Sequence, residues 1–141
     1  MVLKITKILI LPFLLSFIFL TACEEIYTVD CRECLEVEPT TCTLKIKFGA
    51  VPGSFIPYDV TIYKGKIEDG VVLYKVETVT SVYYEVALNS LYTVTVSVMK
   101  NGKEYIAVDA TRPRVDYITE ACEEPCYYVV NNTLDLEIKY Y

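Results

Sequence analysis

The 141-residue sequence has no histidine and no tryptophan, only five glycines and two methionines, and fewer basic than acidic residues, 13 against 19. Without histidine there is no imidazole base, no Ser-His or Cys-His couple, no His-ligated metal and no covalent c-type haem attachment. The net charge of −6 argues against a nucleic-acid partner. Long apolar runs are scarce as well. The run Ile8–Leu20 covers 13 residues and contains Pro12, whereas a membrane-spanning helix needs about 20.

What is present is unevenly placed. Lys4 and Lys7 precede the apolar run, and the small residues Thr21 and Ala22 follow it. A basic start followed by an apolar stretch of about 7–15 residues is the layout of an export signal. Residues 1–22 are therefore read as a cleaved leader. Its loss leaves 119 residues with 11 basic and 19 acidic side chains, about half of them hydrophobic. That composition and size suit one globular domain. The expected organisation is a leader over 1–22, an anchor and acidic tether over 23–41, and a single β domain over 42–141. The tether reading rests on residues 24–41, which hold six acids and one base, Arg32, with little apolar periodicity. A run of this kind is solvated and self-repelling.

The remainder reads as all-β. After the leader there are 37 Val, Ile and Thr residues against 12 Leu and Ala, which favours strands over helices. Alternation of apolar and polar residues marks eight segments: Thr43–Phe48, Tyr58–Lys64, Val71–Thr78, Val82–Leu88, Leu91–Lys100, Glu104–Thr111, Tyr127–Val130 and Thr133–Tyr140. Leu44, Ile46 and Phe48 share one face of the first. Tyr92, Val94, Val96 and Val98 share one face of the fifth. In Glu104–Thr111 the alternation points Ile106 and Val108 inward. Asn101-Gly102 between two strands is a type I′ hairpin signal. Seven or eight short strands with one polar face each predict an antiparallel two-sheet sandwich.

With Cys23 set aside, five cysteines remain: Cys31, Cys34, Cys42, Cys122 and Cys126. Export places them in an oxidising compartment, where disulfides form. Five thiols allow at most two bridges and leave one over, and the pairing stays open. A bridge between the early and late cysteines would close a long loop, worth up to about 4.5 kcal/mol in the chain-entropy model. Cys31-Arg32-Glu33-Cys34 has the CxxC spacing of redox motifs but lacks their βαβ setting. Cys31, Cys34, Cys122 and Cys126 also have ligand spacing for a four-cysteine zinc site, which export into an oxidising compartment disfavours. No metal and no cofactor are expected.

Two carboxylate pairs, Glu68-Asp69 and Glu123-Glu124, could in principle support glycosidase chemistry, and both read as solvated loops. Asp109 and Asp116 flank Arg112-Pro113-Arg114, which reads as another polar loop rather than an ion site. Among the 13 tyrosines, Tyr63, Tyr83, Tyr127 and Tyr128 fall at strand positions. Adjacent strand residues point to opposite faces, so one member of each Tyr pair should be exposed. Exposed tyrosine supplies rigid amphipathic contact area for a protein or glycan.

Three resemblances add expectations. Leu20-Thr21-Ala22-Cys23 resembles the lipobox of bacterial lipoproteins, which implies lipidation of Cys23 on sulfur, acylation of the new amino terminus and anchoring in the outer membrane. Glu24-Glu25 directly after it resembles the surface-export signals of Bacteroidota lipoproteins, which implies display on the cell surface. Leu88, then Leu91-Tyr92-Thr93-Val94-Thr95-Val96 and the Asn101-Gly102 turn resemble the later strands of fibronectin type III and related immunoglobulin-like modules, and also transthyretin-like domains. That resemblance implies a tyrosine corner at Tyr92. The resulting expectation is a non-enzymatic, lipid-anchored binding module with no catalytic residues. Its partners would be the membrane, through Cys23, and a protein or glycan. The alternative is a structural accessory subunit of an outer-membrane transport or assembly complex.

Overall fold

A computed structural model describes residues 29–49 and 56–138. The leader, the lipobox with Cys23, and the last two residues of the expected final strand lie outside the described residues. Nine strands occur among the described residues: β1 (Thr41–Phe48), β2 (Tyr58–Lys64), β3 (Val72–Thr78), β4 (Val82–Ala87), β5 (Tyr92–Lys100), β6 (Lys103–Thr111), β7 (Arg114–Ile118), β8 (Cys126–Val130) and β9 (Thr133–Leu136). They form a three-stranded sheet in the order β4-β1-β9, a four-stranded sheet in the order β3-β2-β5-β6, and a two-stranded β7-β8 hairpin. The first two sheets face each other as the expected all-β sandwich.

The core is built by alternation. Leu44, Ile46, Val60, Ile62, Val94 and Val96 are fully buried, and each alternates along its strand with residues on the opposite face of the sheet, of which Thr61 and Thr93 are buried as well. Phe48 and Tyr58 meet across the sheets with ring centroids 4.9 Å apart. Leu134, Leu136 and Ile138 complete the inner layer from the C-terminal end. Five strands follow an immunoglobulin-like order. β1 and β4 pair as strands B and E do, and β2, β5 and β6 as C, F and G do. The place beside β1 that strand A takes in that layout is filled by β9. It runs parallel to β1, with Lys45 opposite Thr133 and Phe48 opposite Leu136.

The β5–β6 hairpin turns at Asn101 (φ 54°) and Gly102 (φ 72°), the two positive φ values that a type I′ turn demands. This turn reverses one expectation. Tyr105 and Ala107 pack against the core, while Ile106 and Val108 are 58% and 54% exposed. The physical reason is register. A two-residue turn puts Lys100 opposite Lys103, hence Val98 opposite Tyr105 and Val96 opposite Ala107. Directly opposed residues share a face, so the inward valines of β5 carry Tyr105 and Ala107 inward with them.

β7 also departs from the sequence reading, which left Arg112-Pro113-Arg114 in a loop. Arg114–Ile118 pairs antiparallel with β8 along its whole length. Pro113 is fully buried, and its carbonyl accepts the Asn89 N–H at 2.7 Å. The strand therefore begins at a buried corner.

Candidate functional site

The segment ahead of β1 is bound to the hairpin rather than free. Asp30 caps the 3₁₀ turn Cys31–Glu33, accepting from the Arg32 backbone N–H at 3.1 Å and from the Arg32 guanidinium at 3.0 and 2.8 Å. These bonds, the side-chain ones first, hold the Asp30 carboxyl at about 2. Leu35 then lies antiparallel to Tyr127. Its N–H donates to the Tyr127 carbonyl at 2.9 Å, and the reciprocal bond is 2.8 Å. Lys45 on the outer face of β1 reaches Glu33 at 3.4 Å.

Two disulfides lock this arrangement. Cys31 pairs with Cys122 and Cys34 with Cys126, with Cα atoms 5.7 and 5.5 Å apart. Both join the early cluster to the late one. The bridges touch each other, because Cys34 Sγ lies 3.6 Å from Cys122 Sγ. Cys31 is exposed, Cys34 and Cys122 are half-buried, and Cys126 is buried. A cavity of about 560 Å³ opens beside the four sulfurs, lined also by Leu35, Glu36, Glu123, Glu124 and Pro125. The leftover thiol is Cys42. It faces a cleft of about 230 Å³ shared with Glu33, Leu35 and Tyr128, and burial pushes its thiol above the ordinary value.

No protein-family model, curated protein or solved structure matches this chain.

The four tyrosines singled out from the sequence lie on separate surfaces. Tyr63 is half-buried on the outside of the four-stranded sheet, opposite Thr93. Tyr83 is 64% exposed on the outside of the three-stranded sheet, opposite Lys45. Its neighbour Tyr84 turns the other way and stacks on Tyr74 at 4.9 Å. Tyr127 meets Tyr117 at 5.0 Å, while Tyr128 sits opposite Asp116 on the other face of the hairpin. Sequence reasoning missed Tyr117, because its strand begins beside a proline. The alternation of Val115 with Tyr117, matching Val129 with Tyr127, was the available signal.

A second exposed surface also escaped the sequence reading. Met99, Ile106 and Val108 are 59%, 58% and 54% exposed on the outer side of the β5–β6 hairpin. β6 is the edge strand there. Three of the carboxylate candidates serve local structure. The Asp69 carboxylate accepts the Lys66 N–H at 2.8 Å, Asp109 accepts the Ala110 N–H at 2.8 Å, and Asp116 pairs with Arg114 at 3.5 Å on β7. Among the described residues no helix is long and apolar enough to cross a membrane.

Proposed function

We propose that this protein is a lipid-anchored, non-enzymatic interaction module of a bacterial outer membrane, displayed on the cell surface. The observation that carries this reading is the lipobox-like Leu20-Thr21-Ala22-Cys23 behind a basic and apolar leader. Acylation of Cys23 on sulfur and on its amino group would supply the two or more chains that stable anchoring takes. The doubly bridged junction fits such a tether. Only residues 24–30 separate the anchor from Cys31, a reach of about 25 Å when fully extended. The disulfides suit an oxidising compartment. The lack of histidine supports a binding role over catalysis. Contact with a protein or glycan would use the exposed outer faces of the sandwich, where Tyr83 and the Met99–Ile106–Val108 strip lie.

The test is made in cells. Cys23→Ala should remove the acyl mass and release the protein from membranes or stall its processing. Protease added to intact cells should remove the wild-type domain. Membrane retention without lipid mass overturns the anchor, and full protection from protease overturns surface display.

A further inference from the structure

We infer that Cys31, Cys34, Cys122 and Cys126 form a zinc site when their disulfides are reduced, so that one metal ion replaces two covalent bridges as the clamp between residues 31–35 and the β7–β8 hairpin. This does not rest on the anchoring proposal above.

The case begins with the distances. A tetrahedral four-thiolate site has Zn–S bonds of about 2.3 Å, which places neighbouring sulfurs about 3.8 Å apart. Cys34 Sγ and Cys122 Sγ, which share no bond, are already 3.6 Å apart. Cys34, Cys122 and Cys126 have their sulfurs within 4.8 Å of one another, and Cys31 is bonded to Cys122. Three of the four sulfurs are thus mutually close, and Cys31, attached through Cys122, has to swing in to complete the set. Opening both bridges requires each bonded pair to separate by only about 2 Å to reach the metal spacing. Side-chain rotation can supply that.

The backbone supports the same arrangement. Each ligand pair comes from a short turn, Cys-x-x-Cys in one and Cys-x-x-x-Cys in the other, both within the spacing of structural zinc sites. The two turns are held together by the reciprocal Leu35–Tyr127 backbone bonds, and Lys45–Glu33 ties the first turn to β1; neither contact is itself a disulfide. The half-site thus persists while the sulfurs exchange partners. Glu36, Glu123 and Glu124 line the adjacent cavity and give it a potential that attracts a divalent cation. Four soft thiolates select zinc over calcium or magnesium.

The chemistry balances. Two equivalents of a dithiol reductant open the two bridges, giving four protein thiols and two molecules of oxidised reductant. One Zn²⁺ then displaces the four thiol protons. Two equivalents of a small-molecule disulfide, each accepting two electrons and leaving as two thiols, restore the two bridges and release Zn²⁺, so metal and disulfides are exclusive states of one cluster.

The experiment uses the full chain carrying Cys23→Ala, which keeps the Asp30 cap of the first turn, purified oxidised and then reduced with a phosphine that does not bind zinc. Zinc is titrated against a chromophoric chelator, and cobalt is added in parallel as a spectroscopic probe. The expected result is one equivalent of zinc bound by the reduced protein and none by the oxidised protein. Cobalt should show the intense sulfur-to-metal and ligand-field bands of a tetrahedral tetrathiolate. Cys42→Ser should keep the full equivalent, and Cys122→Ser should weaken binding at least tenfold. Backbone circular dichroism of the reduced sample, with and without zinc, reports whether the sandwich is intact. A reduced protein that binds no stoichiometric zinc, folded or not, overturns the inference. So does binding that survives Cys122→Ser or is lost in Cys42→Ser.

Discussion

The phenol of Tyr92, at the start of β5, donates to the carbonyl of Ala87, at the end of β4, across 2.9 Å. Only Leu88–Leu91 lie between the strands, and the chain crosses there from one sheet to the other. The corner is pinned again by the Leu88 N–H on the Thr40 carbonyl and the Asn89 N–H on the Pro113 carbonyl. Tyr92 is nearly fully buried, so removing the hydroxyl leaves the Ala87 carbonyl short of a partner while the ring still fills its place. Tyr92→Phe should cost about 0.5–1.5 kcal/mol, read as a lower urea midpoint with an unchanged slope. Tyr92→Ala also empties the core position and should cost about 3–5 kcal/mol.

The two disulfides should be strongly non-additive. They close loops with sequence separations of 91 and 92, so either alone removes most of the chain entropy. With one in place, the other closes a ring of only about nine residues, worth about 2.5 kcal/mol in the loop-entropy model. Replacing Cys34 and Cys126 together by serine should therefore cost about 2.5 kcal/mol, and replacing the second pair as well should cost about 4.5 more. Urea unfolding of the two-serine and four-serine proteins checks the order. Equal steps would show that the reduced unfolded state keeps the two segments together.

Two isoleucines test the register of the β5–β6 hairpin. Ile62 is fully buried in β2, and Ile106 is 58% exposed in β6. Ile62→Ala should destabilise by about 2–5 kcal/mol, while Ile106→Ala should stay within about 0.5 kcal/mol. Thermal or urea unfolding of both variants makes the comparison. A large cost at Ile106 would mean that β6 turns its other face to the core.

The Asp30–Arg32 cap should titrate unusually low. Its folded-state carboxyl sits at about 2, below the ordinary unfolded value near 3.9. A lowered acid stabilises the fold fully above the unfolded value, and the contribution disappears as pH falls through the folded one. The Asp30 carboxyl resonance should therefore stay ionised down to about pH 2. Arg32→Ala should return it towards the ordinary range. The pair is exposed, so the effect belongs to this turn rather than to global stability.

Much of this architecture is local, and the sequence carries it openly. Alternating Leu44-Lys45-Ile46-Lys47-Phe48 can only be a half-buried strand, and Asn101-Gly102 can only be a tight hairpin. Tyr92 opening the strand Tyr92–Lys100 is a corner legible from a few neighbouring residues. Period-two alternation says that residues take opposite faces without saying which face meets the core. In β6 the apolar pair Ile106 and Val108 is therefore misleading, and only pairing with β5 decides for Tyr105 and Ala107. The cysteine partners and the parallel docking of β9 beside β1 join residues some 90 positions apart. Nothing within a strand's length encodes such contacts. They follow from closing the two sheets on each other, which leaves one sheet edge for β9 and brings four sulfurs into a single cluster.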